Sequence, residues 1–181
     1  MRIIAIIPAR GGSKRLPKKN IYPLHGKPLI EYTIDACKQS RFIQDIYVSS
    51  DDSEILEVGI RAGAHGLHRP ANLADDQTPK VVAIRQAAMD PAIGVLDRED
   101  LIVIAQANSP QITAEPLDRG IQMILDHGLW EVMSTDENRI QNAAFRIVRY
   151  HALFNTFLSA HCGFVVANIR DVHTLEDLNQ L

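Results

Sequence analysis

Along most of the chain, apolar runs of strand length alternate with segments whose apolar residues recur at helical spacing. Ile3 to Ile7 is a continuous apolar run rich in β-branched residues. With both faces apolar it predicts a buried, parallel strand. Pro8 bars further ladder pairing, so the strand should end near it. Pro28 opens a segment in which Leu29, Ile30, Thr33, Ile34 and Cys37 form one helical face. Ile43 to Ser49 is a second strand. Asp51 and Glu54 give a capping pattern for a helix carrying Ile55, Val58 and Ala62, which Gly63 or Gly66 can stop.

Thr78 and Pro79 open a third helix with Val81, Val82, Ile84 and Ala88. Leu101 to Ala105 is a third strong strand, and Thr113 caps a fourth helix with Leu117, Ile121, Ile124 and Leu125. Beyond Leu129 the pattern thins. Glu131 to Ser134 and Ala143 to Tyr150 read as strands, Phe164 to Ala167 more clearly so, and Ile147 to Leu158 fits helix or strand. Thr174 to Asp177 caps a short last helix. This succession implies an α/β fold in three layers, a mainly parallel sheet with helices on both faces.

Composition narrows the class. The chain has 181 residues, a length that suits one domain, residues 1–181. Hydrophobic residues make up 46% and charged residues 23%, which fits a globular protein and not a disordered one. A net charge of −3 gives no global match to nucleic acid, so any cationic cluster is local. No apolar run reaches membrane-spanning length and no signal peptide is evident, so a cytoplasmic protein is expected. Cys37 and Cys162 lack metal-type spacing and read as reduced thiols. His65, His68, His151 and His161 show no ligand spacing. Phe154, Phe157 and Leu158 read as core or as a dimer contact.

The densest chemistry follows the first strand. Gly11 and Gly12 let backbone N–H groups turn toward one point, and Arg10, Lys14, Arg15, Lys18 and Lys19 crowd the same loop. Backbone donors and clustered cations at the end of a parallel strand suit several phosphates, whereas a bare charge run would be a solvated loop. The loop lacks the spacing of a Walker motif and the glycine fingerprint of a dinucleotide site. Three other stretches fall at strand ends. Ser49 to Asp52 is either a ligand loop or simply a helix cap. Gln106 to Pro110 offers amide side chains to a base or sugar. Asp171 to His173 precedes the last helix and carries a carboxylate.

Ile7-Pro8-Ala9-Arg10-Gly11-Gly12-Ser13-Lys14, then Pro17, Lys19-Asn20 and Gly26-Lys27-Pro28-Leu29, resemble the signature of the acylneuraminate cytidylyltransferases, the CMP-sialic acid synthetase family. Arg69-Pro70-Ala71-Asn72-Leu73-Ala74-Asp75-Asp76 is similar to that family's element bordering cytosine and ribose. Ser49-Ser50-Asp51, Gln106 to Pro110 and Asp171 to Leu178 are similar to three more of its motifs. The resemblance covers residues 1–128 well, as a nucleotide-binding part, and residues 129–181 weakly, as a shortened acceptor and closing part. It implies a Rossmann-like nucleotidyltransferase fold of the nucleotide-diphospho-sugar transferase type.

Further implications concern the reaction. CTP and a small anionic acceptor, a nonulosonic acid such as sialic, legionaminic or pseudaminic acid, would give a CMP-linked sugar acid and pyrophosphate. A 3-deoxy sugar acid or a phosphonate is the alternative acceptor, and a catalytically weak nucleotide-binding homologue the alternative protein. By resemblance Arg10, Lys14 and Lys19 act on the triphosphate. Gly11, Gly12, Ser13, Asn20, Ser50, Arg69, Asp76, Gln106, Asn108 and Ser109 bind nucleotide or substrate, and Asp171 would hold Mg²⁺. The resemblance leaves open a homodimer. Three departures stand out: His173 replaces an aspartate, Ala107 and Asn108 replace Pro-Thr, and Ile112 stands where an arginine is common.

Overall fold

The computed structural model describes residues 1–156 and 159–181. Seven strands form the main sheet: β1 (Ile3–Pro8), β4 (Asp45–Ser50), β5 (His65–His68), β6 (Leu101–Ala105), β7 (Glu131–Thr135), β8 (Gln141–Arg149) and β9 (Cys162–Val166). Their spatial order is β5-β4-β1-β6-β8-β7-β9. Four neighbouring pairs are parallel, and β8 alone runs antiparallel to both its neighbours. The expected mainly parallel α/β sheet is therefore present. A two-stranded hairpin, β2 (Pro23–Leu24) with β3 (Lys27–Pro28), stands apart from it.

The continuous apolar run of β1 has a simple cause. Ile3, Ala5 and Ile7 face a core cluster that includes Ile30, Ile34 and Ile55, from α1 (Leu29–Gln39) and α2 (Ser53–Arg61), and Leu117 and Ile121 from α4 (Ala114–His127). Ile4 and Ile6 face a second cluster with Ile84 and Ala87 of α3 (Lys80–Ala88) and Ala152 and Leu153 of α5 (Tyr150–Leu153). A strand buried on both faces has no polar side to show. A third, smaller cluster of Leu16, Leu24, Leu29 and Val172 lies beneath the cationic loop and ties it to the hairpin, α1 and the closing segment.

Several local readings are corrected. Asp52, not Asp51, caps α2, accepting from the N–H groups of Glu54 at 2.8 Å and Ile55 at 3.3 Å. Gly63, at φ +94°, follows the helix end, whereas Gly66 lies inside β5. The ambiguous stretch from Ile147 resolves into the end of β8 followed by the one-turn α5. Phe154 is 37% exposed, stacked edge-on against Tyr150, and so is not core. Phe157 and Leu158 lie outside the described residues. The last helix, α6 (Leu175–Leu178), has the expected capping box between Thr174 and Asp177. Among the described residues no helix is long and apolar enough to cross a membrane.

Candidate active site

A cleft of about 490 Å³ opens at the carboxyl ends of β1 and β6. β1 is paired with β4 on one side and β6 on the other, so the chain leaves its first strand in opposite directions around this point. Open α/β sheets bind ligands at such a switch. The lining includes Arg10, Ser13, Lys14, Arg15, Lys19, Asn20, Arg69, Asp76, Lys80, Gln106, Asn108, Asp171 and His173.

The cationic loop is held from within. Buried Asn20 donates its amide to the Arg10 carbonyl at 2.9 Å, and the Ser13 N–H donates to the Gly11 carbonyl at 2.8 Å. Gly11 gives its N–H to Asp51 Oδ1 at 3.0 Å, so this donor secures the loop to the end of β4 and does not point at a ligand. A Cβ on Gly11 would lie 2.7 Å from Asp52 Oδ2, so a side chain here would force Asp52 or the loop to shift. Gly12 has open space around it and lies outside the lining. Lys18 turns away, in left-handed backbone at φ 53°, and pairs with Glu54. Four of the five loop cations, Arg10, Lys14, Arg15 and Lys19, face the cleft.

Charge in the cleft is arranged in two groups. Asp76 bridges Arg10, at 2.6 Å, and Lys14, and these partners hold its carboxyl below the usual carboxylate range. Arg10 also donates to the Asp75 carbonyl at 3.0 Å. Asp76, expected to be a pocket residue, lines the cleft against Arg10 and Lys14. The second group surrounds Asp171. Lys19, pushed down from the ordinary lysine range first by burial, is drawn back by Asp171. Lys80 is treated the same way. Although Lys80 is exposed as a whole, its ammonium reaches in to donate to Gln106 Oε1 at 2.7 Å. Ser109 donates its hydroxyl to Asp171 Oδ1. Burial and the nearby Lys19 push the His173 imidazole below its ordinary pKa, which favours the neutral ring.

Not every expected site residue enters the cleft. Ser50 is fully buried and accepts from the Asp52 N–H at 3.0 Å, a structural role in the turn after β4. Ser109 acts only through Asp171. Arg69 lines the cleft but is 5% exposed and anchored to Ser49, donating to its carbonyl at 2.8 Å. Burial lowers its pKa, with Asp51 opposing. Asn108 donates to the Val172 carbonyl at 2.8 Å, and the Val172 N–H donates to the Asn108 carbonyl at 2.8 Å. This reciprocal pair fixes Asp171 and His173 against the loop after β6.

Lys80 was missed in the sequence. It is the first residue of α3, and the signal was available in principle. Thr78-Pro79 marks a helix start, and in an open α/β sheet the first turn of a helix that follows a parallel strand lies at the ligand-binding edge.

A family model described as cytidylyltransferase matches residues 4–157. The chain belongs to the cytidylyltransferase family. Pseudaminic acid cytidylyltransferase of Campylobacter jejuni is 47% identical over 88 residues, 48% of this chain and 38% of that protein. The 3-deoxy-manno-octulosonate cytidylyltransferase of Bdellovibrio bacteriovorus is 32% identical over 127 residues, 70% of this chain and 47% of that one. The chain thus spans less than half the length of these curated cytidylyltransferases. The solved structure of a CMP:2-keto-3-deoxy-manno-octonic acid synthetase complexed with CTP superposes with a TM-score of 0.79 at 15% identity. That match covers 99% of this chain and 96% of that one, and it establishes the shared fold.

The donor set decides how a divalent ion would sit in a cytidylyltransferase of this make-up. Among the described residues no cluster of three or more His, Cys, Asp or Glu side chains could hold one. Asp76 is engaged by two cations, and imidazole is a poor ligand for Mg²⁺, which prefers oxygen. Asp171 remains, already accepting one hydrogen bond. The described residues of the cleft thus offer a divalent ion one carboxylate that no cation already engages directly.

Proposed function

We propose that the cleft binds CTP and transfers its cytidylyl group to a small sugar acid. The observation that carries this reading is the convergence of Arg10, Lys14, Arg15, Lys19 and Lys80 on one cleft that Arg69, Gln106 and Asn108 also line. Clustered cations match a triphosphate, and buried amides match a base or sugar.

An acceptor hydroxyl oxygen attacks the α-phosphorus. A new O–P bond forms as the bond to the β-phosphate oxygen breaks. Pyrophosphate leaves with that electron pair, and the hydroxyl proton passes to the leaving phosphate or to water. Negative charge gathers on phosphate oxygens in the transition state. Arg10, Lys14 and Lys19 would stabilise it from a loop that Asn20 and Asp51 already fix, once phosphate has displaced Asp76 from Arg10 and Lys14. Gln106 and Asn108 orient what binds beside them, which converts binding into positioning. Asp171 would be the protein ligand of a Mg²⁺ ion, whose chemistry there would be charge neutralisation.

Sequence relatives favour a nonulosonic acid or a 3-deoxy sugar acid as acceptor, since proteins named for both classes match this chain. Pyrophosphate release from CTP, measured against a panel of such acids and a phosphonate, tests the proposal. Acceptor-dependent release supports it. CTP binding without release by any acceptor would instead identify a nucleotide-binding homologue, a reading favoured by His173 where the family's pattern has an aspartate.

A further inference from the structure

We infer that Lys80 is a further ligand of the bound triphosphate, placed so that its ammonium supplies neutralisation that would otherwise fall to a divalent cation. The inference rests on the reading of the cleft as a CTP site. Lys80 lies outside the motifs that carry the family resemblance, which stop at Asp76 and resume at Gln106.

Its placement is specific. As the first residue of α3 it enters the cleft from the α3 side of the sheet, whereas Lys19 enters from the loop after β1. The two ammonium groups face the same carboxylate, Asp171. Among the described residues that line the cleft, the other carboxylate, Asp76, is held by Arg10 and Lys14. At the position where a second closing carboxylate would help to seat a metal, His173 presents a ring that contributes no negative charge. One anion is thus absent and one cation is added.

Charge across the whole lining agrees. Six cationic side chains, Arg10, Lys14, Arg15, Lys19, Arg69 and Lys80, stand against the two carboxylates Asp76 and Asp171, an excess of four positive charges. Such an excess suits a triphosphate that has not been partly neutralised beforehand. Lys80 is also better prepared to change partners than Arg10 or Lys14. Arg10 and Lys14 must give up Asp76 before they can take phosphate. The Lys80 ammonium is spent on a neutral amide oxygen, Gln106 Oε1 at 2.7 Å. Exchanging that oxygen for a phosphate oxygen replaces a singly charged hydrogen bond by one charged on both sides. The Gln106 side chain is released in the same step to meet the sugar or base beside it.

The test is calorimetric titration of CTP in EDTA and in excess Mg²⁺, using the wild-type chain, Lys80→Ala, Lys80→Gln and Lys80→Arg. The expected result is that wild type and Lys80→Arg bind CTP in EDTA with an affinity near that in Mg²⁺. Lys80→Ala and Lys80→Gln should lose about tenfold or more in EDTA, the scale of a charged hydrogen bond, and recover most of it with Mg²⁺. Thermal melting checks that each variant folds, and Lys80→Gln keeps the length of the side chain should the Ala variant not do so. An unchanged ratio of EDTA to Mg²⁺ affinities in both neutral variants, or CTP binding by wild type only when Mg²⁺ is present, would overturn the role of Lys80 and leave the CTP site standing. Absence of CTP binding by wild type in either buffer would overturn the site reading itself.

Discussion

Asp76 Oδ1 lies 2.6 Å from Arg10 Nη1, and the other oxygen of the same carboxylate pairs with Lys14. A carboxylate thus sits on two of the cations that the proposed function assigns to the triphosphate. Both partners are more than a third exposed, so the pair's intrinsic strength is modest. Its effect on binding is competitive: a phosphate must first displace it. Asp76→Asn is therefore expected to tighten pyrophosphate binding by about twofold to fivefold at low salt, with the gain shrinking as salt rises. Isothermal titration at two ionic strengths checks it. Weaker binding in the variant would mean that Asp76 orients the cations instead of blocking them.

Lys19 is half-buried in the cleft beside Asp171. Lys19→Ala is expected to cut turnover by about a hundredfold to a thousandfold, the range seen on removing one preorganised charge-stabilising group. Its thermal midpoint should not fall. Equal pyrophosphate release from variant and wild type would remove Lys19 from the reaction.

The same side chain predicts a pH dependence. Burial holds the folded-state pKa of Lys19 below its unfolded value. Below the folded pKa both states carry the proton, and the folded state bears the cost of a desolvated charge. As pH climbs from the folded toward the unfolded pKa, the folded state sheds the proton first and that cost disappears. Lys19→Met should therefore stabilise the protein at neutral pH, by an amount that diminishes as pH rises through this alkaline window. Pyrophosphate affinity of the wild type should fade in the same window, earlier than an ordinary lysine would titrate. Melting curves and titrations across that range test both.

Gly11 and Asp52 are coupled by contact. Gly11→Ala would place a Cβ 2.8 Å from Asp52 Cβ, and overpacking of this kind costs about 1–3 kcal/mol. Asp52→Gly removes the obstacle, and a glycine cap costs only about a few tenths of a kcal/mol. Chemical denaturation of the two single variants and the double variant should show that the alanine penalty largely vanishes in the Asp52→Gly background. Simple additivity would sink the contact.

Burial pushes the Cys37 thiol up to about 12, while Cys162 is partly exposed. A thiol-directed maleimide should therefore label Cys162 and leave Cys37 untouched in the native protein, with both reacting after denaturation. Mass spectrometry of the labelled peptides reads the result.

Where periodicity was strong, the fold could be read directly. β1, β6, α1 and α4 carry apolar faces that only one packing satisfies, and the loop after β1 announces its charge in the sequence. β5 was hidden because it is four residues long, contains Gly66 and buries only Leu67, leaving no alternation to detect. The β2–β3 hairpin was hidden because its strands have two residues each and its bend uses left-handed His25 at φ 50° before Gly26. Asp51 and Asp52 are adjacent and chemically equal, so no local rule separates the residue that caps α2 from the one that secures Gly11. Lys80 reads as an ordinary polar residue at a helix start, and only the strand order brings it opposite Lys19.

The reciprocal bonds between Asn108 and Val172 span 64 residues of chain. The carboxylate near Lys19 and Lys80 is therefore brought to them by a distant segment, and loosening that clasp would part opposite charges without altering any of them.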